Sequence, residues 1–133
     1  MAQTFHLELV SPAARMFAEQ VERVSIPGAD GDFSVLAGHC PLVSMIRPGV
    51  LDLMLNASKS QRYFIAGGYA NVTGDQCSIL AEFLCPLEDL QRDAIVEKLQ
   101  LAKEELAQAD DGARQAKAHD VLVLEAKLHA AQL

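Results

Sequence analysis

The hydrophobic pattern of this 133-residue chain changes its period once, near Pro86, and that change limits the fold more than any other feature. Upstream, short apolar runs alternate with turn residues. "FHLELV" sets Phe5, Leu7 and Leu9 on one face and His6 and Glu8 on the other, the period-two mark of a half-buried strand. "VERVSI", "DFSVL", "VLDLML", "RYFIAGGYANV" and "CSILAEF" read as further strands, broken by "PGADGD", "RPG", "NASKSQ" and "TGD". In the first of these turns Gly28 and Gly31 are free to take positive φ. Gly67-Gly68 inside a strand-like run predicts a bulge or a close backbone approach. Short strands with Gly- and Pro-bearing turns at this spacing predict an all-β sandwich of two stacked antiparallel sheets.

Downstream of Pro86 an apolar stripe reads Leu87, Leu90, Ala94, Ile95, Leu99, Ala102, Leu106 and Ala109. Apart from the adjacent pair Ala94-Ile95, its steps are three or four, which marks one face of an amphipathic helix. Glu88 and Asp89 suit the positive end of its dipole. "DDG" at 110–112 predicts the stop, with Gly112 as a left-handed residue after the last turn. A second helix carries Ala118, Val121, Leu124, Leu128 and Ala131. So short a link between helices predicts an antiparallel hairpin. Its facing residues are mostly Ala and Leu, so its packing is thin and it is expected to be less stable than the sandwich and able to detach from it. The expected division is a sandwich over 1–86 and a helical hairpin over 87–133.

Composition narrows the function. The net charge is -7, with -3 in residues 1–86 and -4 in 87–133, so neither half offers the cationic surface that a nucleic-acid backbone demands. Direct adhesion to anionic lipid is disfavoured for the same reason. No stretch approaches the roughly 20 apolar residues of a spanning helix. The start, "MAQTFHLELV", has no basic segment followed by a long apolar run, so no signal peptide is expected. Cys40, Cys77 and Cys85 are an odd number at irregular spacing and read as reduced thiols rather than a disulfide frame. With no Trp and two Tyr, the core is aliphatic and little aromatic surface is left for stacking on sugars, which weakens a carbohydrate-binding reading.

Catalytic signatures are missing. There is no GxxxxGK[ST], GxGxxG, CxxC or HExxH, and the paired glycines of "AGGYAN" precede no helix start. His39 and Cys40 are adjacent, so in extended chain they point to opposite faces and cannot clasp one metal or act as a base–thiol pair. Cys40 reads as a small core residue and His39 as a contact on a loop bounded by Gly38 and Pro41. Asp89 and Arg92 are three apart, and Glu88 and Arg92 four apart. On a helix they compete for one ion pair worth a few tenths of a kcal/mol, and a solvated surface cluster accounts for them.

"FHLELVSPAARMF", "IPGADGDFSVLAGHCPLVSMIRPG" and "FIAGGYANV", in that order and followed by a helical hairpin, resemble the epsilon subunit of the F-type ATP synthase over the whole chain. The resemblance implies a non-catalytic rotor subunit of the central stalk without cofactor. It would grip the gamma subunit, rest on the polar loops of the c-ring, and couple ion-driven rotation to ATP synthesis. The membrane would be reached only through the complex, peripherally, on the cytoplasmic face of a bacterial inner membrane. His39 and Asp32 match the family's c-ring contacts, with Asp a shorter acid than the usual Glu. Both are expected on one turn-rich end of the sandwich.

The resemblance also implies a regulatory hairpin that can extend, press on the catalytic beta subunits and slow ATP hydrolysis. A second reading is a nucleotide-responsive switch, because some members bind ATP at [IL]-D-x-x-R-A. Asp89 and Arg92 match that motif, while Glu88 and Asp93 replace its aliphatic and small positions. Two added carboxylates repel a triphosphate, so weak or absent ATP binding is expected.

Overall fold

The computed structural model describes residues 3–132. The chain forms two compact units, one running to Cys85 and the other starting at Pro86. The ranges 1–86 and 87–133 expected from the sequence include residues 1–2 and 133, which lie outside the described residues.

In the first unit, β1 (Phe5–Val10) buries Phe5, Leu7 and Leu9 in strict alternation. It pairs antiparallel with β2 (Arg15–Val21) and parallel with β8 (Gln76–Pro86). Beyond β8 the order continues through β7 (Lys59–Thr73), β6 (Gly49–Asn56), β3 (Arg23–Gly28) and β4 (Gly31–Leu36). The short β5 (Leu42–Met45) joins the far half of β7. The network is mostly antiparallel, with β1–β8 a parallel exception.

One strand turns this network into two layers. Residues 59–65 of β7 pair with β6, and residues 69–72 pair with β5. Between them Gly67 and Gly68 take φ of +75° and +113°, where a side chain is strained. The bend carries β7 from one layer into the other. Leu7 and Leu9 of β1, Val24 and Ile26 of β3, and Leu51 and Leu53 of β6 then fill one core, and β2 packs on β6 without pairing to it. β8 crosses so close to the bend that a Cβ on Gly68 would overlap the Leu80 carbonyl, and one on Gly67 would lie 2.6 Å from a Glu82 carboxylate oxygen. Of the bulge or close backbone approach that the sequence predicts, the close approach is present, at Gly68.

Two strands escape the sequence pattern. β2 buries Phe17 and Val21 four residues apart, and its register with β1 slips between Leu9 and Val10, so period two is lost. β5 has no buried residue and hence no alternation. In the "PGADGD" turn only Gly31 takes positive φ, at +136°. Gly28 is needed for a different reason, since a Cβ there would meet the Gly31 carbonyl at 2.6 Å.

The second unit differs from the predicted pair of helices at both junctions. Leu87–Asp89 form a 3-10 turn, Leu90 and Gln91 are extended, and α1 spans Arg92–Gln108. The i,i+3 spacing of Leu87 and Leu90 satisfies a 3-10 turn as well as a helix. Glu88 and Asp89 thus sit in the separate turn, and Asp93 is the acid in the first turn of α1. Ala109 ends α1 in extended conformation, and Gly112 lies inside α2 (Asp111–Ala131) instead of terminating α1. The Asp110 side chain accepts from the Ala113 N–H at 2.9 Å, so "DDG" acts as a helix start by capping. Among the described residues of this unit only Ile95, Leu99, Val121 and Ala130 are buried, and the predicted stripe residue Ala118 is exposed. Three large aliphatics at about 1.5–3 kcal/mol each hold the hairpin far more lightly than the sandwich core holds itself. Lys117 reaches Glu105 at 2.8 Å across the two helices. That carboxylate raises the Lys117 pKa, so the tie persists through neutral pH and fades when the ammonium deprotonates.

Replacing Gly68 by Ala is expected to destabilise the sandwich by about 2–4 kcal/mol, from combined strain and overlap. Gly74→Ala, where a Cβ meets nothing within 4 Å, should change stability by less than about 0.5 kcal/mol. Urea unfolding followed by circular dichroism measures both. Equal midpoints would refute the role given to the bend.

Candidate docking surfaces

Asp32 is the second residue of β4, opposite Pro27 in β3. The hairpin between these strands is tethered to the next segment of chain. Ala29 N–H donates to the Met45 carbonyl at 2.9 Å, and Arg47 N–H to the Pro27 carbonyl at 2.9 Å. The Arg47 side chain closes the arrangement, with Nη2 2.5 Å from Asp32 Oδ1 and Nη1 donating to the Gly28 carbonyl at 2.7 Å. The "RPG" segment read as a chain break therefore also supplies a cation to the candidate acid.

His39 lies past the other end of β4. Its loop is pinned by Gly38 N–H to the Gly74 carbonyl and His39 N–H to the Leu36 carbonyl, both at 3.1 Å. Gly38 takes φ of +81°. From Asp32 to Leu36 the strand covers about 13 Å at its usual rise, and His39 is further on. The expectation that Asp32 and His39 share one end of the sandwich is corrected: they flank β4. β4 is the last strand in its order and among the described residues pairs with β3 alone, so a partner lying along its free edge reaches both residues. A partner meeting one end reaches one of them.

The His39 ring bonds backbone and leaves the neighbouring thiol alone. Nδ1 is 2.7 Å from the Cys40 carbonyl oxygen. A carbonyl only accepts, so Nδ1 carries the proton and Nε2 of the neutral ring remains an acceptor for a partner. Cys40 is exposed and not a core residue, a correction to its sequence reading: in this loop it is Ala37 that packs against the core, and the following β5 buries no residue. Cys77 is buried, and burial pushes its thiol up to about 12. Among the described residues no group of three or more His, Cys, Asp or Glu is placed to hold a metal ion.

An apolar surface emerges that the sequence reading missed. Val43 faces Asn71, Met45 faces Tyr69, and Val10 faces Leu80 across their strand pairs. Ala70, Val72, Ile79 and Ala81 are buried, so the residues alternating with them point outward. The outer face of this layer carries Val43 at 68% exposure, Met45 at 63%, and Tyr69 and Leu80 at 40% each. The alternation of Val43 and Met45 in "LVSM" was available, but it marks an outward face only when burial of the partner strand is known.

The motif residues of the second unit are not brought onto one helical face. Asp89 ends the 3-10 turn and Arg92 begins α1, with extended Leu90 and Gln91 between them. The ion pair seen at Arg92 is a loose one with Asp93, 4.0 Å apart and exposed. Among the described residues no helix is long and apolar enough to cross a membrane.

Residues 4–86 match the family described as "ATP synthase, Delta/Epsilon chain, beta-sandwich domain". The ATP synthase epsilon chain of Rhodospirillum rubrum is 40% identical over 132 residues, covering 99% of this chain and 98% of the relative. That of Parvibaculum lavamentivorans is 40% identical over 116 residues, covering 86% and 88%. Among solved structures, a chain of the Euglena gracilis mitochondrial ATP synthase (OSCP/F1/c-ring) superposes with a TM-score of 0.86 at 26% identity, covering 98% of this chain and 82% of that one. A chain of the central stalk/c-ring of the Tetrahymena thermophila mitochondrial ATP synthase, at TM-score 0.62 and 14% identity, shares the fold.

Thiol labelling checks the surface assignment. Cys40 should react with a maleimide in the native protein at pH 8, and Cys77 only after unfolding, because reaction needs an accessible thiolate. Native labelling of Cys77, located by peptide mapping, would contradict its burial.

Proposed function

The chain belongs to the ATP synthase epsilon-chain family, and on that premise we propose that it is a non-catalytic rotor subunit of the central stalk, carrying torque between the c-ring and the gamma subunit. The outward apolar face at Val43, Met45, Tyr69 and Leu80 is the observation that carries this reading. A rigid sandwich that exposes Met and Tyr together with aliphatics has the makings of an interface core. Gamma is the partner assigned to that face. The c-ring loops are assigned to the free edge of β4, side-on, with Asp32 near one end and His39 past the other. The carboxylate accepts, and the imidazole accepts through Nε2 or donates when protonated, so both suit polar loops.

The hairpin is proposed as the regulatory part. Its sparse core leaves the two helices lightly held to each other, and Val96, Leu101 and Leu122 are exposed on it. Extended, it would reach the catalytic beta subunits and slow hydrolysis. The alternative, an ATP-binding switch, is disfavoured by the break between Asp89 and Arg92 and by the carboxylates around them. The protein would then lie peripherally on the cytoplasmic face of a bacterial membrane, held there by the complex.

Size-exclusion chromatography with a gamma-containing catalytic complex tests the assignment. Full-length protein and a form ending at Pro86 are both expected to co-elute, and Met45→Asp to abolish co-elution, since a charge buried without a partner is costly. Slower hydrolysis with the full-length form alone would place inhibition in the hairpin. Co-elution by neither form at micromolar concentration would defeat the rotor reading. On complexes that retain the ring, Asp32→Ala and His39→Ala are each expected to weaken docking about fivefold to tenfold, at about 1 kcal/mol per lost hydrogen bond. An effect of only one of them would replace the side-on contact with an end-on one.

A further inference from the structure

We infer that Arg47 is a positioning residue for Asp32, presetting the carboxylate for its partner; this rests on the reading of Asp32 as a ring contact. The guanidinium is planar, and its two terminal nitrogens have different tasks. Nη1 is fixed by the Gly28 carbonyl at 2.7 Å, and Nη2 lies 2.5 Å from Asp32 Oδ1. The backbone of Arg47 is itself anchored, N–H to the Pro27 carbonyl at 2.9 Å. One side chain thus spans the β3–β4 hairpin, from a main-chain oxygen on the outgoing strand to the acid on the returning one.

This arrangement differs from a stray surface ion pair. Exposed pairs usually gain little because two long side chains must be immobilised. Here one partner is a short Asp on a strand, and the other is held at both its backbone and its guanidinium. The Asp32 side chain remains 73% exposed against 46% for Arg47, so most of the acid is still open to a partner. A carboxylate whose rotamer is already chosen loses less freedom on docking, which is the general advantage of preorganisation. The paired cation also offsets the acid's charge, in a chain of net charge -7. The partner at this spot is then a polar loop offering a hydrogen-bond donor, with no requirement for a basic patch. Lysine does not substitute, since an ammonium lacks the planar fork that reaches both oxygens at fixed angles.

The test is a double-mutant cycle on the full-length protein, with detergent-purified c-ring carrying gamma as the probe and dissociation constants measured by biolayer interferometry. Asp32→Ala and Arg47→Ala are each expected to weaken binding about fivefold, and the double variant to be no weaker than Asp32→Ala alone. Arg47→Lys should recover less than half of the loss. If Arg47→Ala stays within twofold of wild type while Asp32→Ala weakens binding, the inference fails and the Asp32 contact stands. If Arg47→Ala costs the same factor with and without Asp32, Arg47 acts on its own and the inference fails. No effect of Asp32→Ala would remove the contact reading and the inference with it. Thermal melts accompany each variant. Should Arg47→Ala unfold, Arg47→Gln enters the same cycle, because its amide can still donate to the Gly28 carbonyl while the ion pair is gone.

Discussion

Everything in the first unit depends on β7 changing layers at Gly67-Gly68. A strand that stayed flat would pair with β6 or with β5, and the two layers would lose their shared member. The backbone there needs two consecutive residues of positive φ, and at Gly68 the β8 backbone also passes close enough to forbid a side chain, whereas at Gly67 only the Glu82 side chain would have to give way. Sterics and conformation therefore demand the same residue for independent reasons. The core follows: once β7 has turned, the inward rows of β1, β3 and β6 face one another and exclude water without a buried polar side chain among the described residues.

Rigidity in one unit and looseness in the other suit different tasks. In the sandwich, local hydrogen bonds extend the stiffness outward to the loops. Arg47 links two turns, Gly38 leans on Gly74, and the Ala29 N–H is held by β5. If the surface transmits torque as proposed, it gains from such cross-links, because a yielding contact would dissipate the motion. In the hairpin the ties among the described residues include a few aliphatics, the Asp110 cap and the Lys117–Glu105 ion pair.

Much of the fold was legible because alternation and helical periodicity are direct images of burial. β1 and the inner row of α1 at Ile95 and Leu99 are of this kind. β2 and β5 were not legible, since one slips register and the other buries nothing. The break at Leu90-Gln91 was hidden because Leu87 and Leu90 fit either helix type, and "DDG" misled because Asp110 caps the following helix and Gly112 simply belongs to it. At the candidate surfaces, sequence supplied residue types and the resemblance supplied roles. The separation of Asp32 from His39 and the engagement of Arg47 required strand direction and register, which no local pattern encodes. Cys40 illustrates the same limit: a small apolar residue between glycine and proline gives no sign of whether it faces in or out.

The parallel pairing of β1 with β8 has a consequence for how the chain is made. The first strand synthesised lies beside the last, with the whole sandwich between them in sequence. Until β8 has left the ribosome, the inner edge of β1 has no neighbour, and its unpaired backbone and apolar face are open to other chains. Closure over so many residues is a slow, non-local step, whereas the hairpin is built from local contacts. Maturation of the sandwich thus waits on synthesis through Pro86, and a nascent chain interrupted before β8 is a candidate for chaperone capture and not a smaller working domain.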